Sequence, residues 1–168
     1  MFIPVILSAQ SKDEELLDWS ASEKLTWNDY KASPDPSSDA AASTTTYLSI
    51  EYNITTNNFG YKVRSGFSKT RSWGLHKTDY ILTHEQGHFD IAEIFARKLN
   101  KLMKEYNFDW NTYRQDLKKI YQDVLDEKED MQNKYDEETN HSINKEKQEE
   151  WLKKISGKLK ELDAWADY

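Results

Sequence analysis

Lys77 to Glu105 reads KTDYILTHEQGHFDIAEIFARKLNKLMKE, and the reading of the fold starts there. Ile81, Leu82, Phe89, Ala92, Phe95, Ala96, Leu99 and Met103 recur at three- and four-residue spacing, the period of an amphipathic helix. Thr78 or Asp79 is placed to cap its start. Inside this helix stands the pentad His84-Glu85-Gln86-Gly87-His88. Residues four apart share a helix face, so both imidazoles can reach one metal ion, with the Glu85 carboxylate beside them to act on a metal-bound water. Gly87 costs up to ~1 kcal/mol of helix propensity relative to Ala; close approach by another segment or by a substrate would explain it.

Upstream of this helix, Thr44 to Ile54 is β-branched and aromatic with partial alternation and reads as a strand. Asn57 to Gly60 reads as a turn and Tyr61 to Phe67 as a second strand, giving a hairpin. Leu25 to Tyr30 opens the ordered domain, Ser33 to Ser38 is a turn-rich loop, and Lys12 to Asp18 reads as polar and flexible. Downstream, Asp109 to Tyr135 forms a second helix with Leu117, Ile120, Tyr121, Val124, Leu125 and Met131 on one stripe. Asp136 to Asn144 reads as a polar break. Lys145 to Trp165 forms a third helix with Trp151, Leu152, Ile155, Leu159 and Leu162 inward. A short run of strands followed by three helices predicts an α+β single domain: a small antiparallel sheet packed on the metal-site helix, zincin-like, with two further long helices.

The N-terminus reads two ways with equal weight. Phe2 to Leu7 is apolar and Ser8-Ala9-Gln10 suits a cleavage region, so the stretch is either the tail of a signal peptide whose start is missing or an N-terminal strand or disordered leader. The predicted division is a leader over 1–21 and a zincin-like domain over 22–168. No other apolar run approaches the roughly 20 residues of a membrane span.

The 168 residues suit one domain and can bury a core. A net charge of −7 argues against a nucleic-acid binder, which presents a basic face. With 13% aromatic and 32% charged residues, the chain suits a folded domain with a charged surface. It has no cysteine, so a thiolate zinc site and a thiol nucleophile are both excluded. Any zinc is held by His, Asp or Glu.

A catalytic zinc keeps three protein ligands and an open position for water, whose pKa it lowers to about 7. His84 and His88 supply two ligands, and Glu85 acts as general base. The third comes from elsewhere. The metzincin pattern is excluded, because Ile91 and Ile94 stand where it needs Gly and His. Glu105, Glu127 and Glu138 lie at conceivable distances along the chain, and His141, in the polar segment between helices, is a further candidate. Glu93, five residues past His88, lies roughly 140° around the helix; it is expected to pair with Arg97. His76 is expected at the surface or in a cap.

These residues resemble the bacterial domain-of-unknown-function family 922, described as predicted secreted zinc-dependent proteases. Leu25-Thr26-Trp27-Asn28-Asp29-Tyr30 resembles its opening Leu-x-Trp-x-Asp-Phe element, with Tyr30 in place of Phe. Ala41 to Thr44 resembles its Ala-x-Thr step, and Leu82 to Ile91 with Glu93, Ala96 and Arg97 its core motif. Tyr135-Asp136 with Thr139 and His141 is similar to its downstream Tyr-Asp-x-x-Thr-x-His-Gly segment, with Ser142 where Gly is usual; Gln148 and Trp151 fit the helix beyond. The resemblance implies His84, His88 and His141 as zinc ligands. It suggests Tyr135 as an oxyanion stabiliser, by analogy with the phenols of other zinc peptidases, and Asp90 as a partner orienting a ligand histidine. It also implies a secreted, periplasmic or cell-envelope location.

The function expected from sequence is therefore zinc-dependent hydrolysis of peptide bonds in a peptide or protein substrate. The alternatives are a zinc amidase acting on a peptidoglycan peptide and a non-enzymatic envelope binding module with structural or no zinc. The sequence does not fix the oligomeric state.

Overall fold

The computed structural model describes residues 14–56 and 58–168. The signal-peptide reading of residues 1–10 lies outside the described residues.

The architecture is α+β, with a small antiparallel sheet and three long helices. The sheet holds β1 (Leu16–Asp18), β3 (Thr46–Thr55) and β4 (Asn58–Ser68) in the order β1-β4-β3. A separate two-stranded ladder pairs β2 (Ala42–Ser43) with β5 (Trp73–Gly74). The hairpin forms as expected but reverses earlier: its register runs from Thr46 opposite Phe67 to Thr55 opposite Asn58. Gly60 therefore lies within β4, opposite Asn53, and not in the turn. Leu48 and Ile50 on β3 and Val63 and Phe67 on β4 are buried, with exposed Glu51, Lys62 and Arg64 among them, the period-two pattern of a half-buried sheet.

β1 corrects two expectations. Leu16 to Asp18 is neither flexible nor part of a leader, because it pairs with Gly66 to Ser68 at the sheet edge. The fold begins before residue 22, and Trp19 is tied in by an indole N–H donated to Asp90 at 2.8 Å.

α1 (Asp79–Glu105) is the central helix, capped by the Thr78 side chain, which accepts from the Ile81 N–H. One face packs on β3 and β4; others pack on α2 (Tyr113–Thr139) and α3 (Lys145–Glu161). The larger core cluster joins Ile91, Ile94, Phe95 and Leu99 of α1 to Val124, Met131 and Tyr135 of α2 and Trp151 and Ile155 of α3. A second cluster joins Leu25 and Tyr30 to Phe67 and Phe89 and fixes the N-terminal segment against α1.

α2 runs to Thr139, one turn past the predicted end at Tyr135. Polar Asp136 to Glu138 are adequate helix formers, and the Thr139 hydroxyl donates back to the Tyr135 carbonyl at 2.6 Å. The helix stops where Asn140 turns left-handed, and His141 and Ser142 follow it with φ of 50° and 72°. Asn144 then caps α3 by accepting from the Lys147 N–H. α3 ends at Glu161, short of the predicted Trp165, and a 3₁₀ turn covers Asp163–Trp165. Glu93 and Arg97 form the expected pair, at 2.8 Å and both buried. The C-terminal segment covers it: Arg97 also donates to the Leu159 carbonyl, and the Tyr168 hydroxyl donates to Glu93.

Candidate metal centre

His84 and His88 lie one turn apart on α1, with ring centroids 4.9 Å apart. Below them sits Tyr135 of α2. Its ring stacks on His84 at 4.5 Å and meets His88 edge-on at 5.0 Å. Gly87 makes this possible: a Cβ there would come within 2.5 Å of the Tyr135 hydroxyl oxygen and 2.8 Å of the ring. The glycine inside the pentad is thus explained by close approach of another segment.

One turn along α2 from Gln132, the Asp136 carboxylate meets both histidines. Its Oδ1 lies 3.1 Å from His84 Nε2 and 3.0 Å from His88 Nε2, and the two Nε2 atoms are 3.2 Å apart. Among the described residues these three form a group of side chains whose donor atoms converge closely enough to hold a metal. For a tetrahedral zinc with bonds of ~2.0–2.1 Å, ligand atoms lie ~3.3 Å apart. The observed triangle is a few tenths of an ångström tighter.

The hydrogen bonds around His88 settle what its Nε2 carries. Gln132 donates its amide N–H to the His88 carbonyl at 2.9 Å, which turns its Oε1 toward His88 Nδ1. Oε1 can only accept, so Nδ1 holds the proton. In the neutral ring Nε2 then has a lone pair, aimed at a carboxylate oxygen and at another imidazole nitrogen. Three electron-rich atoms facing one another need a proton or a cation between them. The metal-free pKa values follow from this. Burial pulls His88 down, but the Asp136 carboxylate more than reverses it and the value is raised. Burial pushes Asp136 up, and the two imidazoles overcome that and hold it far below the usual carboxylate range. The donor set and its spacing fit a zinc ion.

Glu85 is buried, lines the same cleft, and keeps its Oε2 without a hydrogen-bond partner; His84 Nδ1 is likewise unpartnered. The cleft has a volume of about 730 Å³. It is lined by His84, Glu85 and His88 of α1, by α2 from Leu125 to Asp136, and by the N-terminal chain at Asp35 and from Ala40 to Thr46.

The remaining predicted residues fall as follows. His141 stands beside the group and not in it: its Nδ1 is 3.7 Å from Asp136 Oδ1 and its side chain is 69% exposed. The left-handed turn at Asn140 to Ser142 carries it to the rim. The Tyr135 hydroxyl is buried and donates to the His84 carbonyl at 3.2 Å, which gives the ring a supporting position under the imidazoles and not one facing a substrate. Asp90 accepts from Trp19 and Gln86 and touches neither histidine of the pentad. Glu138 is taken by the Trp151 indole at 2.8 Å, Glu127 by Lys98, and Glu105 and His76 are exposed. Gln132 was passed over by sequence reasoning, and Asp136 was quoted as part of a resemblance but given no role at the site. Their four-residue spacing on one helix, with Asp136 itself inside the quoted Tyr135-Asp136 step, was the available signal.

No curated protein and no solved structure matches the chain. The described helices include none long and apolar enough to cross a membrane. The pattern that defines a family described as "Bacterial protein of unknown function (DUF922)" matches residues 10–142, which covers the sheet, the pentad helix, Asp136 and His141, and the chain belongs to that family.

Proposed function

We propose that the protein is a zinc-dependent metallopeptidase of zincin-like fold, with His84, His88 and Asp136 as ligands and Glu85 as general base. The observation that carries this is the convergence of the three donor atoms at 3.0–3.2 Å on the floor of an open cleft, with an unpartnered carboxylate oxygen on Glu85 beside them. His84, His88 and Asp136 would hold a zinc ion, which would supply a Lewis acid for the scissile carbonyl and lower the pKa of water there. Glu85 takes the proton of the attacking water at its free oxygen and returns it to the leaving nitrogen. Gln132 keeps His88 in the tautomer that presents a lone pair, and Tyr135 holds both rings from below. A carboxylate as third ligand leaves His141 at the rim, where its exposed ring faces incoming substrate. The family resemblance supports action in the bacterial envelope or outside the cell.

The test is elemental mass spectrometry on the purified chain and on Asp136→Ala and His141→Ala, with casein cleavage by the wild type and Glu85→Gln. The expected result is zinc in the wild type and in His141→Ala, loss of it in Asp136→Ala, and cleavage reduced roughly 10²–10⁴-fold in Glu85→Gln with zinc retained. A wild type that takes up no zinc, or a fully active Glu85→Gln, overturns the proposal.

A further inference from the structure

Lys128 lies in the α2 wall of the cleft, half-buried. Lys128, Gln132 and Asp136 follow one another at four-residue intervals, so they share the helix face that looks into the cleft. Of the other lysines on α2, Lys119 pairs with Asp123, and Lys118 and Lys134 stand exposed in solvent, so Lys128 is the one that is drawn into the cleft wall. Among the described residues Lys128 has neither a hydrogen bond nor an ion pair, and Glu129 beside it is exposed and acts on it only through space. Across the cleft, Ala40 to Thr46 is made of alanine, serine and threonine, and the carboxylate that lines that side, Asp35, is exposed and accepts from Ser37, not from Lys128. Burial pulls the Lys128 pKa below its ordinary value, as expected for an ammonium that has given up water without gaining a counter-ion.

From Lys128 to Asp136 the helix rises ~12 Å. A peptide lying extended along the cleft covers that distance in about three or four residues, at ~3.3 Å each. Resting on the peptidase reading of the site, we propose that Lys128 is a specificity-determining residue that binds a carboxylate of the substrate peptide a few residues from the scissile bond. Two sources share that chemistry, an acidic side chain and a free C-terminal carboxylate. Either would form a charge-assisted hydrogen bond with an ammonium that has no other partner.

The test uses the full chain carrying Glu85→Gln, loaded with zinc, and fluorescein-labelled peptides of alanine, serine and threonine read by fluorescence anisotropy. One peptide carries glutamates and an amidated C-terminus, a second carries glutamines in their place, and a third has no acidic side chain but a free C-terminus. The expected result is about tenfold tighter binding of a carboxylate-bearing peptide than of the glutamine peptide, as for one charge-assisted contact. Which of the two binds tighter identifies the source. Lys128→Met should erase the preference, and Lys128→Glu should reverse it in favour of a lysine-bearing peptide, a result that misfolding cannot produce. Equal binding of all three peptides, unchanged in Lys128→Met, overturns the role of Lys128 and leaves the cleft as a peptide site. Failure of every peptide to bind overturns the peptidase reading with it.

Discussion

Replacing Gln132 with leucine tests the reasoning about the metal centre most directly, because the side chain touches no metal. Its amide holds His88 at two points, accepting from Nδ1 and donating to the backbone carbonyl at 2.9 Å. Leucine keeps the bulk and removes both bonds. The Nδ1–H then has no acceptor in a side chain that is only 12% exposed. The ring is free to move its proton to Nε2, which would remove the ligand lone pair. Loss of such an orienting partner typically costs 10–100-fold in metal affinity, or about 1.4–2.7 kcal/mol. Gln132→Glu keeps an acceptor at the same reach and makes it anionic, so it should hold zinc about tenfold or more tighter than the leucine variant.

The assay is zinc competition against a chelator of known affinity, read alongside the nitrogen chemical shifts of His88 in the zinc-free protein, which report the tautomer directly. A Gln132→Leu protein that binds zinc within about twofold of wild type, with Nδ1 still protonated, refutes the argument. The orientation of His88 would then be set by Tyr135 and the helix backbone alone.

Two further outcomes follow from contacts at the same centre. Gly87→Ala should destabilise by about 1–3 kcal/mol, because its Cβ would collide with a tyrosine that is fully buried and has nowhere to move. Gly157→Ala, on α3 with nothing within 4 Å, should instead stabilise by up to ~1 kcal/mol; opposite shifts in thermal melting check both, and a stabilised Gly87→Ala would mean that Tyr135 does not pack as described. Zinc affinity should fall as pH drops, beginning above the ordinary imidazole value of about 6.5, because His88 is raised by Asp136 and must lose its proton to bind. Titrating proton release on zinc addition across pH 5–8 checks this, and release that begins only well below that value would show that Asp136 does not hold the His88 proton.

What the sequence could and could not convey comes down to distance along the chain. The pentad, its Thr78 cap, the hairpin and the Glu93–Arg97 pair are all set by neighbours a few residues away, and each was legible from spacing. Asp136 was not, since it meets His84 across 52 positions and sits where the apolar stripe of α2 gives out. Ending that helix at Tyr135 treated a polar tail as a loop. The resemblance implied His141 in that segment as the third ligand; the helical continuation puts the Asp136 carboxylate one turn beyond Gln132, between the two imidazoles, and His141 past it at the rim. β1 escaped for a similar reason, since three residues are too few to show alternation and their pairing is decided by the edge of β4. A metal site assembled from two helices is legible only to the extent that both helices are drawn to their full length. The second helix here is closed by a left-handed turn at Asn140, Asn being among the non-glycine residues that most often adopt that conformation. That asparagine was the mark of the true helix end, and it lies four residues beyond the carboxylate that meets both imidazoles.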